Sequence, residues 1–380
     1  MEHNETIVDT GIVINDIKVS AYTIPTSSPE SDGTIAWDKT TLVLTEITAG
    51  GHTGIGYTYA NISAATIIDT MLKDVVNGMP VMDIPMITTR MVQCIRNEGS
   101  CGVAMMAVSA VDNALWDLKA KILGLPLCTL LGKATEKMLV YGSGGFTSYT
   151  QEQLQQQLTD WVKAGIKHVK IKIGSSTQSP GLQSREQGRD EDRVRQARQV
   201  IGDAKLFVDA NGAYTVKQAV EKAHQFAEYN VSWFEEPVSS DDLDGLHYIR
   251  NHMPAAVQVA AGEYGYHLPY FKKMLNAGAV DVLQADATRC GGITGFLKAG
   301  QLAEAYGLPF SSHCAPSIHL HAALSLPSFY IAEYFYDHTR IEKMLFDGFR
   351  AAENGCMVPD ESRPGFGIEF KHKDAARYKL

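Results

Sequence analysis

KLFVDANGAYTVKQAVEKAHQFAEYNVSWFEEP, residues 205–237, contains an apolar run ending in Asp209, an amphipathic stretch, and a second apolar run ending in Glu235, Glu236 and Pro237. Strand, helix and strand in about 30 residues make a crossover unit that joins parallel strands. Similar runs extend in both directions. Upstream are MLVYGSGGF (138–146) and HVKIKIG (168–174); downstream are VQVAAGE (257–263), VDVLQAD (280–286), PFSSHC (309–314) and FYIAEYF (329–335). With KLFVDAN (205–211) and WFEEP (233–237) they give eight candidate strands. Helical stretches such as QEQLQQQLTDWVKAG and EDRVRQARQVIG lie between them. Eight parallel strands close most economically into a (β/α)8-type barrel, because an open doubly wound sheet leaves unpaired edges. No Gly-x-Gly-x-x-Gly follows the early strands, which disfavours a dinucleotide-binding sheet.

The segment before the barrel follows another pattern. Asp16 to Tyr22 and Thr40 to Ile47 alternate in polarity like strands, and the polar TSSPESDGTIAWDK between them reads as a loop. From Ser63 to Leu123 the chain is rich in Ala, Met, Ile and Leu and includes the helical GVAMMAVSAVDNALWDLKAKI. The expected organisation is an α+β capping domain over 1–135, with lid loops near 25–37 and 57–61, and a barrel over 136–348. The segment 349–380, with Pro359 and Pro364, is expected to pack back on the cap.

In 380 residues the formal net charge is −9, with 45% hydrophobic residues. The core can be large, and the acidic balance argues against nucleic-acid binding. The six cysteines show neither zinc-type pairing nor disulfide density, and the polar start MEHNETIVDTG is no signal or transit peptide. No run reaches the roughly 18 apolar residues of a membrane span. A cytoplasmic metabolic enzyme is expected.

Nearly every candidate strand ends in a functional side chain: Lys170 and Lys172, Asp209 with Asn211, Glu235 with Glu236, Glu263, Asp286, His313 and Glu333. Parallel barrel strands bring such ends to one face. Asp209, Glu235 and Glu263 come from consecutive strands. Without a His/Cys cluster beside them they suit an oxygen-loving ion, Mg²⁺, with Mn²⁺ as substitute. Lys170 and Lys172 share one face of their strand, and mutual repulsion with burial lowers a lysine pKa toward that of a general base. His313 with Asp286 forms an oriented acid/base dyad.

These motifs resemble the enolase superfamily and, within it, the mandelate racemase subgroup. VKIKIG, VDANGAY, WFEEP, AAGEY, QADATRCGGIT, SSHC and AEYF occur in that subgroup's order, and NALWDLKAKILGLPLCTLLG is similar to its bridge from cap to barrel. The resemblance implies a modified TIM barrel in which Asp209, Glu235 and Glu263 bind Mg²⁺ and Glu236 stands beside them. Lys172 is then the base on one substrate face, with Lys170 neutralising the carboxylate, and His313, supported by Asp286, acts on the other. Glu333 hydrogen-bonds the developing enolate, as a donor if protonated.

The implied chemistry is removal of the proton α to the carboxylate of a small acid. Dehydration of an aldonate or aldarate to a 2-keto-3-deoxy acid comes first, with Ser28, Asp32, Tyr59 and Asn61 available to a polyol. Racemisation or epimerisation of an α-hydroxy acid is the alternative, and a non-catalytic barrel the distant one. The charged segment 175–193 reads as solvated. Family members are often symmetric assemblies, so a homo-oligomer is expected.

Overall fold

The computed structural model describes residues 11–174 and 189–380. Three antiparallel strands, β1 (Asp16–Ser31), β2 (Ala36–Ala49) and β3 (His52–Tyr59), open the chain in the order β1-β2-β3. The helix Val103–Ile122 lies across β3, and the cap's core forms between this sheet and the helices. Gly56 permits that approach: a Cβ there would stand 2.3 Å from both the Ala110 oxygen and the Ala114 nitrogen.

Two expectations for the cap change. TSSPESDGTIAWDK is no open loop; most of it extends β1 and β2 into a long hairpin with its turn at 32–35. Its polar residues face barrel groups that repay them: Ser31 Oγ and Thr147 Oγ1 are 2.7 Å apart, and Thr147 Oγ1 donates to the Asp32 oxygen. The strand β3 was not anticipated, and Tyr57 to Tyr59 of the expected second lid belong to it. Glu30, fully buried on the hairpin, accepts from Trp37 Nε1 at 2.9 Å, while its Oε1 has no partner among the described residues. Burial, reinforced by the Asp337 charge, pushes its carboxyl up to about 8.

Eight strands then form the parallel barrel: β4 (Met138–Gly144), β5 (His168–Lys172), β6 (Lys205–Asp209), β7 (Val231–Glu235), β8 (Gln258–Ala261), β9 (Val282–Ala285), β10 (Phe310–Ser312) and β11 (Phe329–Phe335). Pairing of β11 with β4 closes the ring. Seven of the eight sequence runs contain their strand whole, and WFEEP holds the last three residues of β7, which begins two residues earlier at Val231. The barrel floor is an apolar cluster of Tyr141, Phe207, Trp233, Ala260, Val282 and Ile331.

The tail touches both units. β12 (Phe346–Asp347) pairs with β14 (Glu369–Phe370), and β13 (Cys356–Met357) adds antiparallel to β4. Buried Asp117 on the cap helix accepts from Ile55 N at 2.8 Å and Phe366 N at 2.7 Å, and Leu380 N donates to the Ala21 oxygen at 2.9 Å. Of the segment expected to be solvated, 175–188 lies outside the described residues. The remainder opens the helix Arg189–Ile201 and departs from expectation: Asp190 and Arg193 are buried. Arg193 Nη2 donates to the Gly145 and Phe146 oxygens, carbonyls that need donors once covered. Among the described residues no helix is long and apolar enough to cross a membrane.

Candidate active site

Side chains alternate along a strand, so residues two beyond the floor cluster also point into the barrel. From Tyr141, Phe207, Trp233 and Ile331 this step reaches Ser143, Asp209, Glu235 and Glu333. Register then places Lys172 opposite Asp209, and Asp209 opposite Glu235. Glu263 is three residues beyond Ala260, out of alternation. Gly262 accounts for it: φ is 139°, and a Cβ would stand 1.9 Å from the Gln284 oxygen, so only glycine permits this turn.

Carboxylate oxygens of Asp209, Glu235 and Glu263 lie within 4.8 Å of one another, and all three residues are buried. Three clustered anions in a dry site repel unless cations sit among them. Glu263 Oε2 is buried without a hydrogen-bond partner among the described residues, and burial with the Asp209 charge, against the opposing Lys170 charge, leaves Glu235 well above its usual carboxylate range. Oxygen donors, mutual distance and an orphaned oxygen all fit a hard divalent ion such as Mg²⁺.

Lys170, fully buried, pairs with Glu235, with Glu333 Oε1 at 2.8 Å and with Asp209 Oδ2 at 3.2 Å. Lys172 Nζ is 2.5 Å from Asp209 Oδ2. The expected lowering of the lysines is not found. Burial does lower both, but Glu235 and Glu333 around Lys170, and Asp209 beside Lys172, outweigh it and raise each above the ordinary lysine value.

On the other side, His313 Nδ1 meets Asp286 Oδ2 at 2.8 Å, and His313 Nε2 is 3.6 Å from Glu263 Oε2. Burial raises the Asp286 carboxyl, yet the His313 hydrogen bond and charge bring it well below the usual range. Glu333 also differs from the expected donor. Despite burial, Lys170 and His313 keep it far below the usual carboxylate range, and it accepts from Ser143 Oγ at 2.6 Å and Cys314 N at 2.8 Å. Glu236, at φ 39°, is buried with Oε1 unpartnered among the described residues; burial and the Glu263 charge raise its carboxyl. Asn211 sits just above, its N–H donating to Asp209 Oδ1 at 3.0 Å.

All ten predicted residues therefore gather at one barrel mouth. Two neighbours were missed. Ser143 has no distinguishing sequence signal. Arg289, three residues after Asp286 in DATRC, reaches Glu263 Oε1 at 3.4 Å and Asp286 Oδ2 at 3.6 Å, and its charge inside an acid-ended motif was the available clue. His319 accepts from Ala287 N at 2.8 Å and supports the Asp286 turn.

Residues 16–132 match the family described as mandelate racemase / muconate lactonizing enzyme, N-terminal domain, and residues 153–375 match the enolase C-terminal domain-like family. The L-talarate/galactarate dehydratase of Salmonella typhimurium is 28% identical, the match covering 96% of this chain and 92% of that protein. A mandelate racemase/muconate lactonizing enzyme-like protein from Rubrobacter xylanophilus superposes with a TM-score of 0.92 at 47% identity, covering 97% of this chain and 100% of that one. A Streptomyces coelicolor racemase, solved with bound magnesium, gives 0.89 at 29% identity over 97% and 100% of the two chains.

Proposed function

The chain belongs to the mandelate racemase and muconate lactonizing enzyme family of the enolase superfamily, and from that premise we propose that it is a Mg²⁺-dependent acid-sugar dehydratase. It removes the proton α to the carboxylate of an aldonate or aldarate and expels the β-hydroxyl, giving a 2-keto-3-deoxy acid. The observation carrying this proposal is that Lys172 and His313 stand at opposite ends of one buried carboxylate trio, against Asp209 and Glu263.

Asp209, Glu235 and Glu263 would hold the Mg²⁺, or Mn²⁺ in its place. When bound, the ion supplies positive charge to the substrate carboxylate and offsets the negative charge that otherwise holds the Lys172 proton. Lys170 adds a fixed positive charge where the enolate forms. Lys172 Nζ takes the α-proton. His313, with Nδ1 committed to Asp286, gives a proton from Nε2 to the departing hydroxyl, which leaves as water. The enol then becomes the keto acid. Glu333 fixes Lys170 and the Cys314 amide at the enolate end of the site, and Glu236 and Asn211 support the acids.

The name of the Salmonella relative supports dehydration. The two-sided acid/base arrangement also serves a racemase or epimerase, which must protonate the face opposite the one it deprotonates. Incubating acid sugars with the protein and Mg²⁺ in D₂O separates the two: semicarbazide-reactive keto acid is expected, whereas deuterium exchange without keto acid would establish the racemase instead. The division into a cap over 1–135, a catalytic barrel over 136–348 and a tail over 349–380 belongs to the same proposal. So does a homo-oligomer, which sedimentation velocity tests.

A further inference from the structure

The expectation that no His/Cys cluster stands beside the acids does not hold: beside the carboxylate trio lies a second donor set of different chemistry. His313 Nε2 is 3.2 Å from Cys314 Sγ and 3.8 Å from Glu333 Oε2, and the three side chains are buried. Their ligand atoms all lie within 4.8 Å of one another, the separation found around one small ion. Successive left-handed residues, Cys314 at φ 52° and Ala315 at φ 35°, turn the chain so that the thiol stands beside its neighbour's ring.

Each donor is already oriented. Asp286 engages His313 Nδ1 at 2.8 Å, which directs the Nε2 lone pair toward the thiol, the carboxylate–histidine arrangement that supports bound zinc. Glu333 Oε1 is occupied by Ser143 and Lys170, while Oε2 receives the Cys314 N–H and keeps a lone pair on the His313 side. Sulfur, imidazole nitrogen and one carboxylate oxygen suit Zn²⁺ or Cd²⁺ and not Mg²⁺.

We propose that His313, Cys314 and Glu333 form a thiophilic metal site that binds Zn²⁺ or Cd²⁺ and shuts the enzyme off. The Cys314 thiol proton passes to solvent as the thiolate–metal bond forms. The His313 Nε2 lone pair is then committed to the ion and carries no proton for the departing hydroxyl. Binding stands on these three residues alone; only the inhibition rests on the function proposed above.

The probe is Cd²⁺, titrated into the Mg²⁺-saturated full-length protein and followed by its ultraviolet thiolate charge-transfer band. An exposed pair elsewhere, Cys101 Sγ and His267 Nε2 at 3.5 Å, would add a background, so the parent protein carries Cys101→Ser. The parent should show the band saturating at one Cd²⁺ per chain, with dehydration lost in parallel. Adding Cys314→Ser should remove the band, and whatever turnover the variant retains with Mg²⁺ should be at least tenfold less sensitive to Cd²⁺. No band in the parent, or an equal band and equal sensitivity after Cys314→Ser, overturns the site. If the serine variant does not fold, Asp286→Asn decides: Cd²⁺ affinity read from the band falls about 10–100-fold, and unchanged affinity rejects the assignment. Should no acid sugar be turned over, the band and its response to both variants still judge the site.

Discussion

Asp286 Oδ2 lies 2.8 Å from His313 Nδ1, and Asp286 is held ionised by that contact. One ring nitrogen is thereby committed and the other is left to the cavity. Asp286→Asn retains the shape but removes the charge that fixes the tautomer. Steady-state turnover should fall about 10²–10⁴-fold, the range of a positioned acid/base group, with substrate KM nearly unchanged. A variant with wild-type turnover would exclude the dyad from the chemistry.

Lys172 is separable from the acids it touches. Lys172→Ala should lower α-proton exchange in D₂O by about 10²–10⁴-fold and leave Mg²⁺ binding measurable by calorimetry. Asp209→Asn should show the reverse order of effects, losing Mg²⁺ binding first and activity with it. Chelation of the wild type should abolish turnover, and added Mg²⁺ or Mn²⁺ should restore it.

Glu30 makes stability depend on pH. Its folded pKa of about 8 exceeds the ordinary 4.5, so its contribution is fully present below about pH 4.5 and is lost as pH rises through about 8. Glu30→Gln removes the titration. Its Tm should exceed that of the wild type by a few degrees at about pH 9, and the difference should vanish by about pH 5. Parallel melting curves at both pH values would contradict the buried charge.

Gly56→Ala places a methyl group against the backbone of the cap helix, where nothing flexible can yield. Urea unfolding should show a loss of about 1–3 kcal/mol. Gly51→Ala provides the contrast on space: there a Cβ meets nothing within 4 Å among the described residues, although φ is 78°, so its expected cost is backbone strain.

The barrel was legible because its strands are short apolar runs with charge at one end, a pattern that only a converging site makes tolerable. Asp209, Glu235, Glu333 and His313 followed from alternation and chain order. The hairpin was not legible: Ser31 and Asp32 look like loop until Thr147 of the barrel stands opposite, a partner over 100 positions away. β3 was hidden by its glycines, whose weak strand propensity is overridden by the need to admit a helix. Lysine protonation was misread because strand spacing shows Lys170 beside Lys172 but does not show how closely the carboxylates of neighbouring strands surround them.

The grip on Asp117 joins distant parts of the polypeptide at one carboxylate. Ile55 belongs to the cap sheet and Phe366 to the tail, whose β13 is sewn to the barrel and whose last amide reaches β1. Swinging the cap away as a hinged door would break these bonds together, so a smaller movement, such as one of the hairpin tip, is the expected route of substrate admission. The amide of exposed Ile35, bonded there to the Asp32 side chain, should exchange with deuterium well before those of Ile55 and Phe366. The three regions should also melt in a single transition, and a separate early melting of the cap would show the clasp to be ineffective.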